Sequence, residues 1–146
     1  MNEYIDNLVF DRTQADLDKL TKKAYIDYQD LIRVESAVKW ISYILNVKGY
    51  RNVTKNRLDW NMNDFRTDVD MERLRNNILT VREAYYTPDS TPLTPDRITY
   101  TSIYQANAIE KILYDLGTLA EKIEPGHHHL AFRLGTRPLG NRSEAL

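Results

Sequence analysis

Three stretches of the chain place apolar residues every three or four positions, the spacing that gathers them on one face of an α-helix. Leu31, Val34, Val38, Ile41 and Leu45 form the first, which ends at Gly49, a residue suited to the left-handed turn that closes a helix. Met71, Leu74, Ile78, Val81 and Tyr85 form the second, over about residues 68–86, behind a Thr67/Asp70 start signal. Ile109, Ile112, Leu116, Leu119 and Ile123 form the third, from about Thr101 to a stop at Pro125 and Gly126. A shorter helix over about residues 13–24 is expected from Thr13 and Asp16, spaced as a capping box, followed by Leu17, Leu20 and Ala24.

Such stripes are stable when buried against one another, so the spacing predicts an all-α fold: a compact bundle of three long helices plus one short N-terminal helix. The stripes last about two heptads, which disfavours a coiled coil, and Pro88, Pro92 and Pro95 form a stiff connector that no helix can cross. Residues 1–12 read as an N-terminal leader, 13–125 as the helical bundle domain and 126–146 as an extended C-terminal arm. A chain of 146 residues, 42% hydrophobic and 28% charged, has enough apolar surface for one core of this kind.

The absence of cysteine removes disulfides, thiolate metal sites and cysteine nucleophiles together. With 20 Lys and Arg against 21 Asp and Glu, the net charge of -1 offers no general attraction to nucleic acid or anionic membrane. The first ten residues lack the cationic and apolar regions of a secretory signal, and no stretch is apolar enough for a membrane span, so synthesis in a reducing cytoplasm is expected.

Residues that carry chemistry are scattered. The run His127–His129 invites a metal reading, but in an extended segment alternate imidazoles point opposite ways; a hinge or a remnant of a tag is the simpler account, and no metal is expected. Asp64, Asp68, Asp70 and Glu72 lie at a helix start, where capping and the helix dipole account for them. There is no Gly-rich phosphate loop, no nucleophile elbow and no Glu-x-x-His pair, so no catalytic constellation and no cofactor is expected. Lys48, Arg51, Lys55 and Arg57 surround Tyr50 in a loop, a pattern of too little density to name nucleic acid as the partner.

Two aromatic features stay open. Trp60, in the aperiodic stretch from Tyr50 to Asn63, either folds back to seal the bundle end or meets a partner. Among the tyrosines, Tyr25, Tyr28, Tyr85 and Tyr104 read as half-buried edges of the core, and Tyr86 and Tyr100 as interface candidates. The arm is also open: it is either a frayed terminus or a docking strand with Leu130, Phe132 and Leu134 facing one way. Arg133, Arg137 and Arg142 make it basic, whereas residues 1–30 hold seven acids against four bases.

Several strings, in order, resemble a helical module of minor tail or baseplate structural proteins of phages, prophages and phage-tail-like particles of Gram-positive bacteria. They are Asp11-Arg12-Thr13-Gln14-Ala15-Asp16-Leu17, Asp30-Leu31-Ile32-Arg33-Val34-Glu35, Asp59-Trp60 and Phe65-Arg66-Thr67. Met71 with Arg73-Leu74-Arg75-Asn76-Asn77-Ile78 follows, then Ala106-Asn107-Ala108-Ile109-Glu110-Lys111-Ile112-Leu113. The strings span about residues 10–120. In this pattern the first string starts a helix, the Trp loop closes one end, and the Asn and Glu beside Ile109 tie the last helix to loop backbone. The chain departs from it by lacking a longer insertion between the first two helices and by ending soon after the bundle.

The resemblance implies a non-enzymatic virion or tail-particle component, assembled in the bacterial cytoplasm, that serves as an adaptor or spacer. Its partners would be other tail or baseplate subunits, in several copies around an axis. Trp60 in the loop and Leu130, Phe132, Arg133, Leu134, Arg137 and Leu139 in the arm are the candidate contacts. The alternative is a host-surface module in which aromatic residues meet cell-wall sugar.

Overall fold

A computed structural model describes residues 3–20, 26–100 and 102–123, and every regular element among them is helical. The elements are α1 (Glu3–Asp6), α2 (Gln14–Asp18), α3 (Tyr28–Val47), α4 (Asp68–Ala84) and α5 (Ile103–Glu121). The all-α bundle of three long helices predicted from periodicity is therefore the observed fold. None of the described helices is long and apolar enough to cross a membrane.

The start signals at Thr13 and Thr67 and the stop at Gly49 act as the sequence predicts, while the stop expected at Pro125 and Gly126 lies outside the described residues. Thr13 accepts from the Asp16 amide while Asp16 accepts from the Thr13 amide, and Asp27 and Asp30 repeat this capping box at the head of α3. Thr67 caps α4 and Ser102 caps α5. At the end of α3, Gly49 takes φ of 99°, its amide donates to the Asn46 carbonyl and the Tyr50 amide to the Leu45 carbonyl. These are the two bonds of a Schellman turn. The apolar stripes meet in one core: Leu31, Val34, Val38, Ile41 and Leu45 face Leu74, Ile78 and Val81, and Ile109, Ile112, Leu113 and Leu116 complete it. Leu119 stays partly exposed, and Leu113 and Ala120 take up the burial expected of it.

The three long helices run parallel. Near their N-terminal ends Arg33 of α3 meets Glu110 of α5, and Glu35 of α3 meets Arg73 of α4. At the other end Lys48 reaches the carbonyls of Ala120 and Glu121, and the Tyr50 and Tyr85 rings meet 4.6 Å apart, edge to face. Each connection must therefore travel back along the bundle, a distance of about 30 Å at 1.5 Å per helical residue. Residues 48–67 make the first return and residues 85–102 the second.

Two boundaries differ from the expectation. The first helix is shorter than residues 13–24: α2 stops at Asp18, and Leu20 takes a left-handed φ of 54°, which a regular helix cannot continue through. Residues 21–25 lie outside the described residues. The leader is also no separate segment, because Ile5, Leu8 and Arg12 are buried and α1 packs on α3 and α5. Ile5 is fully buried, and the amides of Val9 and Arg12 donate to Glu110 and Asn107 of α5, so residues 3–12 pack as part of the bundle.

Candidate functional site: two buried carboxylates and the chain crossings they hold

Two glutamates stand among apolar neighbours on the buried faces of their helices. Glu110 of α5 is 1% exposed and Glu35 of α3 fully buried, beside the equally buried positions Ile109, Leu113, Val34 and Val38 of the same helices. An isolated carboxylate there would cost several kcal/mol, so its partners decide whether the fold tolerates it.

Glu110 uses all of its acceptor capacity. Its Oε1 accepts from the Val9 amide at 2.9 Å and from Arg33 Nε at 2.8 Å. Its Oε2 accepts from Arg12 Nη2 and Arg33 Nη2, both at 2.8 Å. Arg33 thus binds in the bidentate geometry that suits a guanidinium, and also reaches Asp30 at 2.6 Å. Burial by itself lowers the Arg33 pKa, but the hydrogen bonds and charges of Glu110 and Asp30 outweigh it and hold the value above the ordinary arginine range.

Glu35 repeats the arrangement with other partners. Its Oε1 accepts from the Arg57 amide at 2.9 Å and Arg73 Nη1 at 2.6 Å; its Oε2 accepts from Trp60 Nε1 at 2.6 Å and Arg73 Nη2 at 3.0 Å. The Arg73 pKa is raised, first by its hydrogen bond to Glu35. The Arg57 guanidinium lies 4.0 Å from the Trp60 ring centre and pairs with Asp59, Asp64 and Asp70.

Beside each carboxylate an amide side chain imitates a β-ladder rung. Asn107 accepts from the Arg12 amide and donates to the Arg12 carbonyl; Asn77 does the same to Lys55. Gln105 accepts from the Thr99 and Tyr100 amides and donates to the Arg97 carbonyl. A chain crossing a helical bundle has no neighbouring strand, so its polar groups need such partners. With four hydrogen bonds on each carboxylate, neither has a lone pair left for a metal or for proton transfer. The arrangement fixes crossings and neutralises charge.

Trp60, offered as a partner contact, is only 3% exposed, with its N–H spent on Glu35. The indole seals the bundle and leaves no face for a partner. Leu130, Phe132, Arg133, Leu134, Arg137 and Leu139, with His127–His129 and Tyr25, lie outside the described residues. Tyr100, read as an interface residue, is buried, and Tyr104, read as a core edge, is exposed; Tyr86 is exposed as expected. The basic loop disperses, because Lys48 caps α5 and Arg57 is held by three aspartates. No group of His, Asp and Glu among the described residues has the arrangement of a metal site.

Spacing along the chain does not mark Arg12, Arg33, Glu35 and Arg73 as partners. The available signal was position: Glu35 and Asn77 adjoin stripe residues, where a polar side chain needs an internal partner. Only Asn107 and Glu110 are expected as ties to loop backbone, and they bond the backbone of Arg12 and Val9. The chain was compared with protein-family models, with curated proteins and with solved structures, and no match was found to any of them.

Proposed function

We propose that the chain is a structural component of a phage tail, baseplate or phage-tail-like particle, a helical adaptor or spacer without catalytic duty. One observation carries the reading: five of the six strings that resemble the tail module supply the side chains of the two carboxylate clamps. Arg12, Asp30, Arg33, Asn107 and Glu110 come from three of them, and Glu35, Trp60, Arg73 and Asn77 from three, Asp30 to Glu35 being shared. Signature residues turned inward on chain crossings suit a part that keeps its shape while neighbours pull on it.

Mass spectrometry of tail particles purified from the producing bacterium tests this. The chain is expected at a fixed ratio to the other tail subunits, and its absence from intact particles refutes the reading. Removing residues 127–146 is expected to leave helix content and melting nearly unchanged while abolishing incorporation. Normal incorporation of that truncation removes the arm from the account.

A further inference from the structure

The outward side of α3 carries aromatic surface that the bundle does not consume. Tyr43 and Val47 stand 62% and 61% exposed there, and Trp40, at helical spacing from both, packs on the core while leaving part of its ring at the surface. Tyr4 of α1 and Leu58 of the first return join Trp40, Tyr43 and Lys39 in lining a trough of about 390 Å³. The amides beside it are already engaged: Asn46 pairs with the Asn52 backbone, Asn52 with Ser42 and the Tyr50 carbonyl, and Asn56 with Thr54. The polar side chains of the trough itself are Ser36, Lys39 and the hydroxyls of Tyr4 and Tyr43.

The second return presents an exposed apolar side chain on a restrained backbone. Pro92-Leu93-Thr94-Pro95 has no regular secondary structure and is tied to the bundle, Arg82 donating to the Pro92 carbonyl, Arg75 to the Pro95 carbonyl and Thr91 to Asp115. Leu93 stands 85% exposed on it, with the exposed acids Asp89 and Asp96 to either side. No ion pair among the described residues engages these acids or Lys39. Proline-rich extended segments dock in aromatic grooves because little entropy is left to lose. Since the connector is pinned on α4 and α5, it cannot reach the trough on the outer side of its own α3.

We propose that the trough receives the Pro92–Pro95 segment of a second copy of this chain, with Leu93 between the aromatic rings and Lys39 paired to a connector aspartate. The two surfaces are different patches of one molecule, so the contact is head-to-tail and propagates to a ring or an open filament. It stands on these surfaces alone, whatever particle the chain belongs to.

Sedimentation velocity of the full chain over a concentration series tests it. The unaltered chain is expected to grow beyond a dimer, and Leu93→Asp and Tyr43→Ala each to weaken self-association by about tenfold or more. Both sites are exposed, so both variants are expected to melt like the parent. Mixed together they are expected to form a one-to-one dimer, since one keeps the trough and the other the connector; this complementation also shows that both are folded. Lys39→Glu is expected to lose assembly and to regain it when Asp89→Lys and Asp96→Lys are added. A chain that stays monomeric at millimolar concentration overturns the proposal, as does undiminished assembly of either single variant. Binding of purified cell-wall glycan that Tyr43→Ala abolishes gives the trough to sugar and equally overturns it. A monomeric chain found in purified particles sinks this contact and leaves the tail reading standing.

Discussion

Ile5 occupies the space that a side chain on Gly117 would need. A Cβ built on Gly117 falls 2.8 Å from Ile5 Cγ1 and closer still to Cδ1, while Ile5 itself has no exposed surface. The absence of a side chain at one position of α5 is what lets α1 lie against it. Gly117→Ala is therefore expected to destabilise by about 1–3 kcal/mol despite the better helix propensity of alanine. Ile5→Ala is expected to cost about 2–5 kcal/mol. The double variant should lose less than the sum, because removing Ile5 makes room for the new methyl. Thermal and urea denaturation of the three variants measures this, and simple additivity would contradict the packing described.

The Glu110 clamp predicts a large effect with little dependence on salt. Glu110→Gln leaves the guanidinium of Arg12, whose side chain is 1% exposed, without its buried counter-charge. The expected loss is about 3–5 kcal/mol. Because the pair is shielded from ions, added salt should change that loss little. By contrast Asp68→Asn, which breaks the exposed pair with Arg97, should cost no more than about 1 kcal/mol. Denaturation midpoints at low and high salt separate the two.

Tyr100 combines burial, a left-handed φ of 51° and a hydroxyl with no hydrogen-bond partner among the described residues. Burial first, and then the charge of Glu110, push its pKa well above the ordinary tyrosine value. The folded chain thus keeps the proton that the unfolded chain gives up near pH 10. Stability from this group is complete below about pH 10 and falls as pH rises beyond it. Tyr100→Phe is expected to flatten that alkaline decline. At pH 7 it should be neutral or stabilising by about 1 kcal/mol, since an unsatisfied buried hydroxyl is removed. A steep decline unchanged in the variant would assign the alkaline transition elsewhere.

The side-chain rungs predict a local signature. Asn77→Ala should expose the Lys55 amide to exchange, and Asn107→Ala the Arg12 amide, each with a stability loss of about 1–3 kcal/mol. Hydrogen exchange at single-residue resolution reads both. Equal acceleration at the two amides in either variant would mean that the crossings open only with the whole bundle.

Much of this molecule is local and therefore legible in one dimension. Helix periodicity, the Thr13 and Thr67 caps and the Gly49 stop depend on residues within a few positions of each other, and the structure places these three signals as read. The Asn107 and Glu110 ties were legible through the resemblance, which carries a pattern beyond what spacing holds. The parallel course of α3, α4 and α5 was not, because each stripe is equally apolar in either direction and only the long returns make a parallel course possible. Burial of Trp60 is one of the two readings open in the sequence, but the pairing of Glu35 with Trp60 and Arg73 is not legible there, since a buried charge and its partner lie far apart along the chain, as Arg12 and Glu110 do, and are paired by proximity alone. Sequence by itself determined which segments are helical and which faces are apolar, because those properties reside in neighbouring residues. Tertiary structure alone decided the helix directions, the enclosure of the charges and the surfaces left for other molecules, because desolvation acts on what surrounds a group in space.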